Sequence, residues 1–192
     1  MMDINKTKHQ QQTISKTIEV SGIGLHSGLE VNLKIEKAPV DNGIKFIRSD
    51  FTNQNAINAI WSNVSSTNLC TTISNESNLS VSTIEHLMSA LSGLHIDNAN
   101  IYINGPEVPI MDGSSKPFVN LIEKNGIEIQ NKKRKILKIK KEITVSNSRG
   151  SAQLLPNNEF SIDFEIDFPS SLISKQSCHL QLINGNYKTD IA

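Results

Sequence analysis

An α+β fold follows from three features of this 192-residue chain. Stretches of apolar/polar alternation recur along it, and two segments carry apolar residues at helical spacing. Both helical segments lie in the first two-thirds, while the last third reads as strands alone. The length suits one domain, or one domain plus part of another. The apolar share of 37% is low for a globular chain, yet isoleucine is frequent and the strands are well patterned. The first two-thirds therefore hold enough apolar surface for a core.

Residues 1–12 are polar and read as a disordered lead. Ile18 and Val20 begin an alternating strand, and Leu29, Val31, Leu33 and Ile35 continue the period of two. Between them lies Gly22-Ile23-Gly24-Leu25-His26-Ser27-Gly28, whose three glycines suit a hairpin connection with positive φ. Ile44 and Phe46 mark another strand, and Ile57 and Ile73 give weaker strand signals in a Ser/Asn-rich stretch. Ile84, Leu87, Met88 and Leu91 repeat at i, i+3, i+4, i+7, so a helix is expected from about Thr83 to Gly93. Ala99, Ile101 and Ile103 alternate as a strand, which Gly105-Pro106 breaks. Ser114 or Ser115 is placed to cap a second helix with Pro117 in its first turn and an apolar stripe of Phe118, Leu121 and Ile122. Composition shifts at Asn131: seven of the ten residues from Lys132 to Lys141 are Lys or Arg. Leu137, Ile139, Ile143 and Val145 alternate beyond it, and Phe160, Ile162, Phe164, Ile166 and Phe168 form one apolar face of a further strand. A first domain over residues 13–128 and strands of a second over 129–192 are expected.

Lys+Arg and Asp+Glu number 19 each, so no global field recruits nucleic acid or an anionic surface. The basic run Lys132–Lys141 lacks interleaved aromatics and reads as a solvated linker and strand edge rather than a nucleic-acid platform. Cys70 and Cys178 stand far apart and outside any CxxC, which excludes a disulfide framework and an all-thiolate zinc site and fits a reducing compartment. The N-terminus has no apolar signal region and no apolar run reaches membrane-spanning length, so the expected address is cytoplasmic. An acyl substrate or a peripheral membrane contact stays open.

Glu85 and His86 place a proton acceptor beside a metal ligand in the first turn of the best-marked helix. Pattern alone favours a capping box for Ser82-x-x-Glu85, with Ser82 accepting the amide of Glu85 and Glu85 reaching back. His86 points away from the apolar stripe toward small residues, which fits either a solvated histidine or a surface that something approaches closely. No HExxH, HxxEH or paired CxxC completes a metal site. Asp112, in the stiff loop Glu107-Val108-Pro109-Ile110-Met111-Asp112-Gly113, reads first as a turn aspartate.

Taken together, four ordered stretches resemble one family, the zinc-dependent UDP-3-O-acyl-N-acetylglucosamine deacetylases of lipid A biosynthesis. They are Gly22 to Gly28, Leu69-Cys70-Thr71, Ser82 to Leu87 with Ala90 to Asn98, and Asn104 to Ser114. The resemblance runs from about Gln12 to the end of the chain. It implies a two-layer domain, a sheet covered by a helix pair, followed by an incomplete second domain of the same type. By this resemblance Glu85 is the general base and His86 a zinc ligand. Leu69 and Cys70 line the substrate site, and His26 and Asp112 lie near it. The substrate implied is an acylated UDP-sugar, and the product acetate.

The family's remaining zinc ligands come from a later His-x-x-x-Asp motif, expected beyond residue 192, as are its oxyanion threonine and its acid histidine. The chain is therefore expected to need a complementing C-terminal segment. The second expectation is a non-catalytic remnant, or a half-domain that binds the acylated nucleotide sugar or another chain. The uncovered strand at Phe160–Phe168 predicts poor solubility or a partner.

Overall fold

A computed structural model of the chain describes residues 9–182 and 186–192. Contacts divide it into two units, one over residues 1–134 and one over residues 135–191. The α+β expectation holds in the first unit. A five-stranded sheet there contains β2 (Ile18–Ile23), β3 (Glu30–Lys37), β4 (Ile44–Arg48), β5 (Ala56–Asn58) and β9 (Ala99–Ile103), in the order β2-β3-β9-β4-β5. Only the β4–β9 pair is parallel. Val31, Leu33 and Ile35 alternate with polar neighbours, and their register against Ile101 and Ile103 brings these side chains onto one buried face. Phe46 and Ile57, paired on β4 and β5, extend that face.

Two helices supply the other layer. Helix α1 (Glu85–Gly93) buries Leu87, Ala90 and Leu91, and α2 (Lys116–Asn125) buries Phe118, Val119 and Ile122. The helices contact each other, and α2 also meets β2. Pro117 stands at the start of α2, and Gly126 ends it with φ +85°, a conformation that costs glycine little.

A second, three-stranded sheet joins β6 (Val64–Ser66), β7 (Thr72–Ser74) and β8 (Ser80–Val81). The β6–β7 hairpin carries residues 67–71 at its tip, and β8 leads directly into α1.

The expected disordered lead needs correction at its end. Residues 1–8 lie outside the described residues, but β1 (Gln10–Ile14) pairs antiparallel with β10 (Ile127–Lys133). That pairing carries the chain of the first unit to Arg134, past the boundary expected at 128/129. Gln11, within the stretch expected to be disordered, is anchored: it is buried and donates to Asp41 at 2.8 Å, while its oxygen accepts from Asn98.

The second unit consists of two separate hairpins and a short helix. β11 (Ile143–Asn147) pairs with β12 (Gly150–Leu154), and β13 (Ser161–Asp167) with β14 (Lys175–Gln181); α3 spans Tyr187–Asp190. The stretch 134–141, expected to begin a strand at Leu137, has no regular structure. Phe160, Ile162, Phe164 and Phe168 are exposed, as the sequence pattern predicts.

Candidate active site

The turn entering α1 is built from β8, the Gly105–Met111 loop and one unusual backbone conformation. Ser82 forms a parallel bridge with Glu107: its amide donates to the carbonyl of Pro106 at 2.9 Å, and its own carbonyl accepts from Val108 at 3.0 Å. Its hydroxyl also donates to Pro106 O. Thr83 then takes φ +54°, a region that a β-branched residue rarely enters. The helix starts at Glu85, and its cap, Ile84, offers no side-chain hydrogen bond. The expected capping box is therefore absent. Ser82 is committed to a strand-like pairing with a segment distant in sequence, and a local capping rule does not see that competitor.

Freed from capping, the Glu85 carboxylate turns to the β6–β7 tip. Oε1 accepts the amide of Thr71. Oε2 is buried with no hydrogen-bond partner, the one such side-chain oxygen or nitrogen among the described residues. A carboxylate with one oxygen fixed by an amide and the other aimed into protein without a partner is set to accept a proton or a hydrogen bond from a bound group. His86, next along, is half-buried, and its ring has no hydrogen-bond partner among the described residues. A neutral imidazole with a free ring nitrogen fits a metal ion such as zinc.

The donor set, however, fits only one corner of such a site. No three His, Cys, Asp or Glu side chains converge among the described residues. A catalytic zinc takes three protein ligands, and His86 by itself does not make up that number.

The tip beside Glu85 holds Leu69 and Cys70. Leu69 has φ +64° and is 86% exposed, so its side chain is presented outward. Cys70 is half-buried, with Sγ 3.8 Å from Thr72 Oγ1. His26 is exposed in the glycine loop between β2 and β3, and its amide donates to Glu107 Oε1 at 2.9 Å. Through Glu107 the loop is joined to Thr83, two residues before Glu85, because Thr83 Oγ1 donates to the same carboxylate at 2.8 Å. The hydrogen bonds of Asp112 lie within its own loop. The residue is exposed and accepts from the amide of Ser114 at 2.9 Å and from its hydroxyl at 2.8 Å, and those bonds hold its carboxyl below the usual carboxylate range.

Glu107 and Thr83 escaped attention in the sequence. Glu107 is 1% exposed. Burial alone would raise its pKa, but the amides of His26 and Ser27 and the hydroxyls of Ser27 and Thr83 outweigh that and hold it at about 2. One signal was available. A lone carboxylate within Gly-Pro-Glu-Val-Pro-Ile sits among residues that favour burial, and a buried carboxylate needs donors.

Residues 11–192 match the family model described as LpxC, UDP-3-O-acyl N-acetylglycosamine deacetylase. The chain is similar to UDP-3-O-acyl-N-acetylglucosamine deacetylase of Syntrophus aciditrophicus, 42% identical over 181 residues, which is 94% of this chain and 57% of that protein. It is similar also to the protein of the same name from Shewanella pealeana, 44% identical over 170 residues, covering 88% of this chain and 56% of that protein. The chain thus spans little more than half the length of these relatives. A match that runs from residue 11 to residue 192 leaves one conclusion: the chain belongs to the UDP-3-O-acyl N-acetylglycosamine deacetylase family.

Proposed function

We propose that this chain supplies the proton-accepting half of a zinc-dependent deacetylase that removes acetate from UDP-3-O-acyl-N-acetylglucosamine, in the cytoplasm and on the route to lipid A. The names of its relatives supply the substrate, and the carrying observation is the partnerless, buried Oε2 of Glu85 beside His86. His86 would be one ligand of the metal, and the other ligands would come from sequence outside residues 1–192. When bound there, zinc supplies Lewis-acid polarisation of the acetamide carbonyl and an acidified water. Glu85 takes the proton of the attacking water through Oε2, while the Thr71 amide holds Oε1 and so fixes the direction of the carboxylate. The water oxygen bonds to the carbonyl carbon, the C–N bond breaks, and the proton passes to the departing amine. Leu69 and Cys70, at the tip beside Glu85, would line the path of the sugar, with His26 on the neighbouring loop and Asp112 farther along.

Among the described residues no three metal-ligating side chains converge, and this favours a second reading: residues 1–192 alone bind substrate without turning it over. Both are tested by measuring acetate release and bound zinc in two preparations, this chain alone and this chain with the segment that completes the length of its relatives. The longer protein is expected to hold about one zinc and to release acetate. In it Glu85→Gln is expected to lower kcat by about 10²–10⁴-fold with zinc retained, and His86→Ala to lose the metal. Absence of acetate release from the longer protein sinks the deacetylase reading. Turnover with stoichiometric zinc in residues 1–192 alone sinks the second reading.

A further inference from the structure

We propose that Glu107 is a positioning residue: its carboxylate clasps the glycine loop at residues 24–28 to the turn entering α1, so that the loop carrying His26 and the Glu85–His86 pair share one rigid frame. The proposal rests on the function above for calling Glu85 and His86 the reacting pair.

Two segments distant in sequence, the glycine loop and the turn entering α1, converge on this one side chain. Oε1 accepts the hydroxyl of Thr83 at 2.8 Å and the amide of His26 at 2.9 Å, and Oε2 accepts the amide of Ser27 at 2.8 Å. The backbone of Glu107 is itself held in the bridge with Ser82. The glycine loop is cut to fit. A Cβ on Gly24 would stand 2.5 Å from Glu107 Oε2 and 2.3 Å from Ser27 Oγ, so no larger residue leaves the carboxylate in place. Thr83 is held at a φ that a threonine does not choose, and its hydroxyl bond to Glu107 is a force that keeps it there.

The chemistry selects a carboxylate. Two backbone amides and two hydroxyls aim at the side chain, and an ionised carboxylate accepts them all. A glutamine would turn its own NH₂ donors toward some of these N–H and O–H groups, and an apolar residue would leave these donors without their acceptor. A buried residue needed only for packing would have no such requirement.

The test compares Glu107→Gln and Thr83→Val with Ile57→Val, a core variant in β5 remote from these bonds, in the zinc-loaded protein that carries the segment completing the length of its relatives. Amide exchange at His26 and Ser27 is expected to quicken at least about tenfold in Glu107→Gln, the loss expected for bonds to a charged acceptor, while the amide of Ile101 stays within the change seen in Ile57→Val. kcat for acetate release is expected to fall about tenfold or more, with KM held within about threefold, because the reacting groups lose alignment and the binding surface does not. Thr83→Val shows a smaller change of the same kind, and Thr83→Ser, which restores the hydroxyl, recovers it. Exchange at His26 and Ser27 as slow as in the parent, or a kcat no lower than that of Ile57→Val, overturns the clasp. If Glu107→Gln does not fold, the Thr83→Val and Thr83→Ser pair decides by the same measures. A parent protein that releases no acetate refutes the deacetylase reading, whereas the exchange rates still decide the clasp.

Discussion

Glu107 stays ionised although burial alone would raise its pKa, and this has a consequence for acid stability. Its folded pKa of about 2 lies below the ordinary value of 4.5, so the folded state holds the charged form more strongly than the unfolded chain does. A depressed carboxyl contributes stability that is fully present above its unfolded pKa and is lost as the pH falls through the folded one. The window is therefore about pH 4.5 down to about 2. The contribution is on the order of 3 kcal/mol, since each tenfold difference in proton affinity between the two states is worth about 1.4 kcal/mol. Urea unfolding followed across that range should show stability falling on acidification in the parent. Glu107→Gln should be less stable at neutral pH and should show a flatter decline, by up to one proton. Parallel curves for the two proteins would mean that Glu107 is not held as the geometry describes.

The β1–β10 pair shows how far an element can be read from its own residues. Asn98, 1% exposed, organises it: Oδ1 accepts the amide of Gly43 at 2.8 Å, and Nδ2 donates to Gln11 at 2.8 Å and to Gln130 at 2.7 Å. Thr13 completes the joint by donating to the carbonyl of Asn98 and accepting from the amide of Ala38. Asn98→Ala leaves several of these buried groups unpaired and should cost about 2–4 kcal/mol, read from the denaturant midpoint at unchanged slope. A cost under about 0.5 kcal/mol, the level of an ordinary surface change, would refute the joint. The strands β3, β9 and β13 were legible because their partners on each face follow from a period of two. β1 was not, because its Gln11 is buried by partners at Asp41 and Asn98 that no local pattern announces. The capping box failed for the same reason, since Ser82 meets Glu107 across 25 positions of sequence. Glu85 and His86 stood out by residue type. What directs Glu85, an amide at Thr71, and what secures the turn before it, Glu107, are long-range contacts and appear only in the fold.

The two units differ in kind. The first buries a two-layer core from Ile18 to Ile122. In the second every strand residue of β11 and β12 is exposed, and in β13 Phe164 is 63% exposed opposite Cys178. A two-stranded hairpin with no layer against it is marginal in water, because its ladder bonds are open to solvent and its apolar face contributes no burial. Amide exchange in dilute solutions of the 192-residue chain should separate the units by this difference. Amides of Leu33 and Ile101, on the adjacent central strands β3 and β9, should exchange only through opening of the first unit as a whole. Those of Ile162 and Phe164 should exchange at least about 10³-fold faster, since local opening there loses little. Raising the protein concentration should slow exchange on β13 if chains associate through its apolar face, and Phe164→Lys should remove that dependence. Protection at Ile162 and Phe164 equal to that at Ile101 in dilute solution would mean that the face is covered within the single chain, and would overturn the description of the second unit as unlayered hairpins.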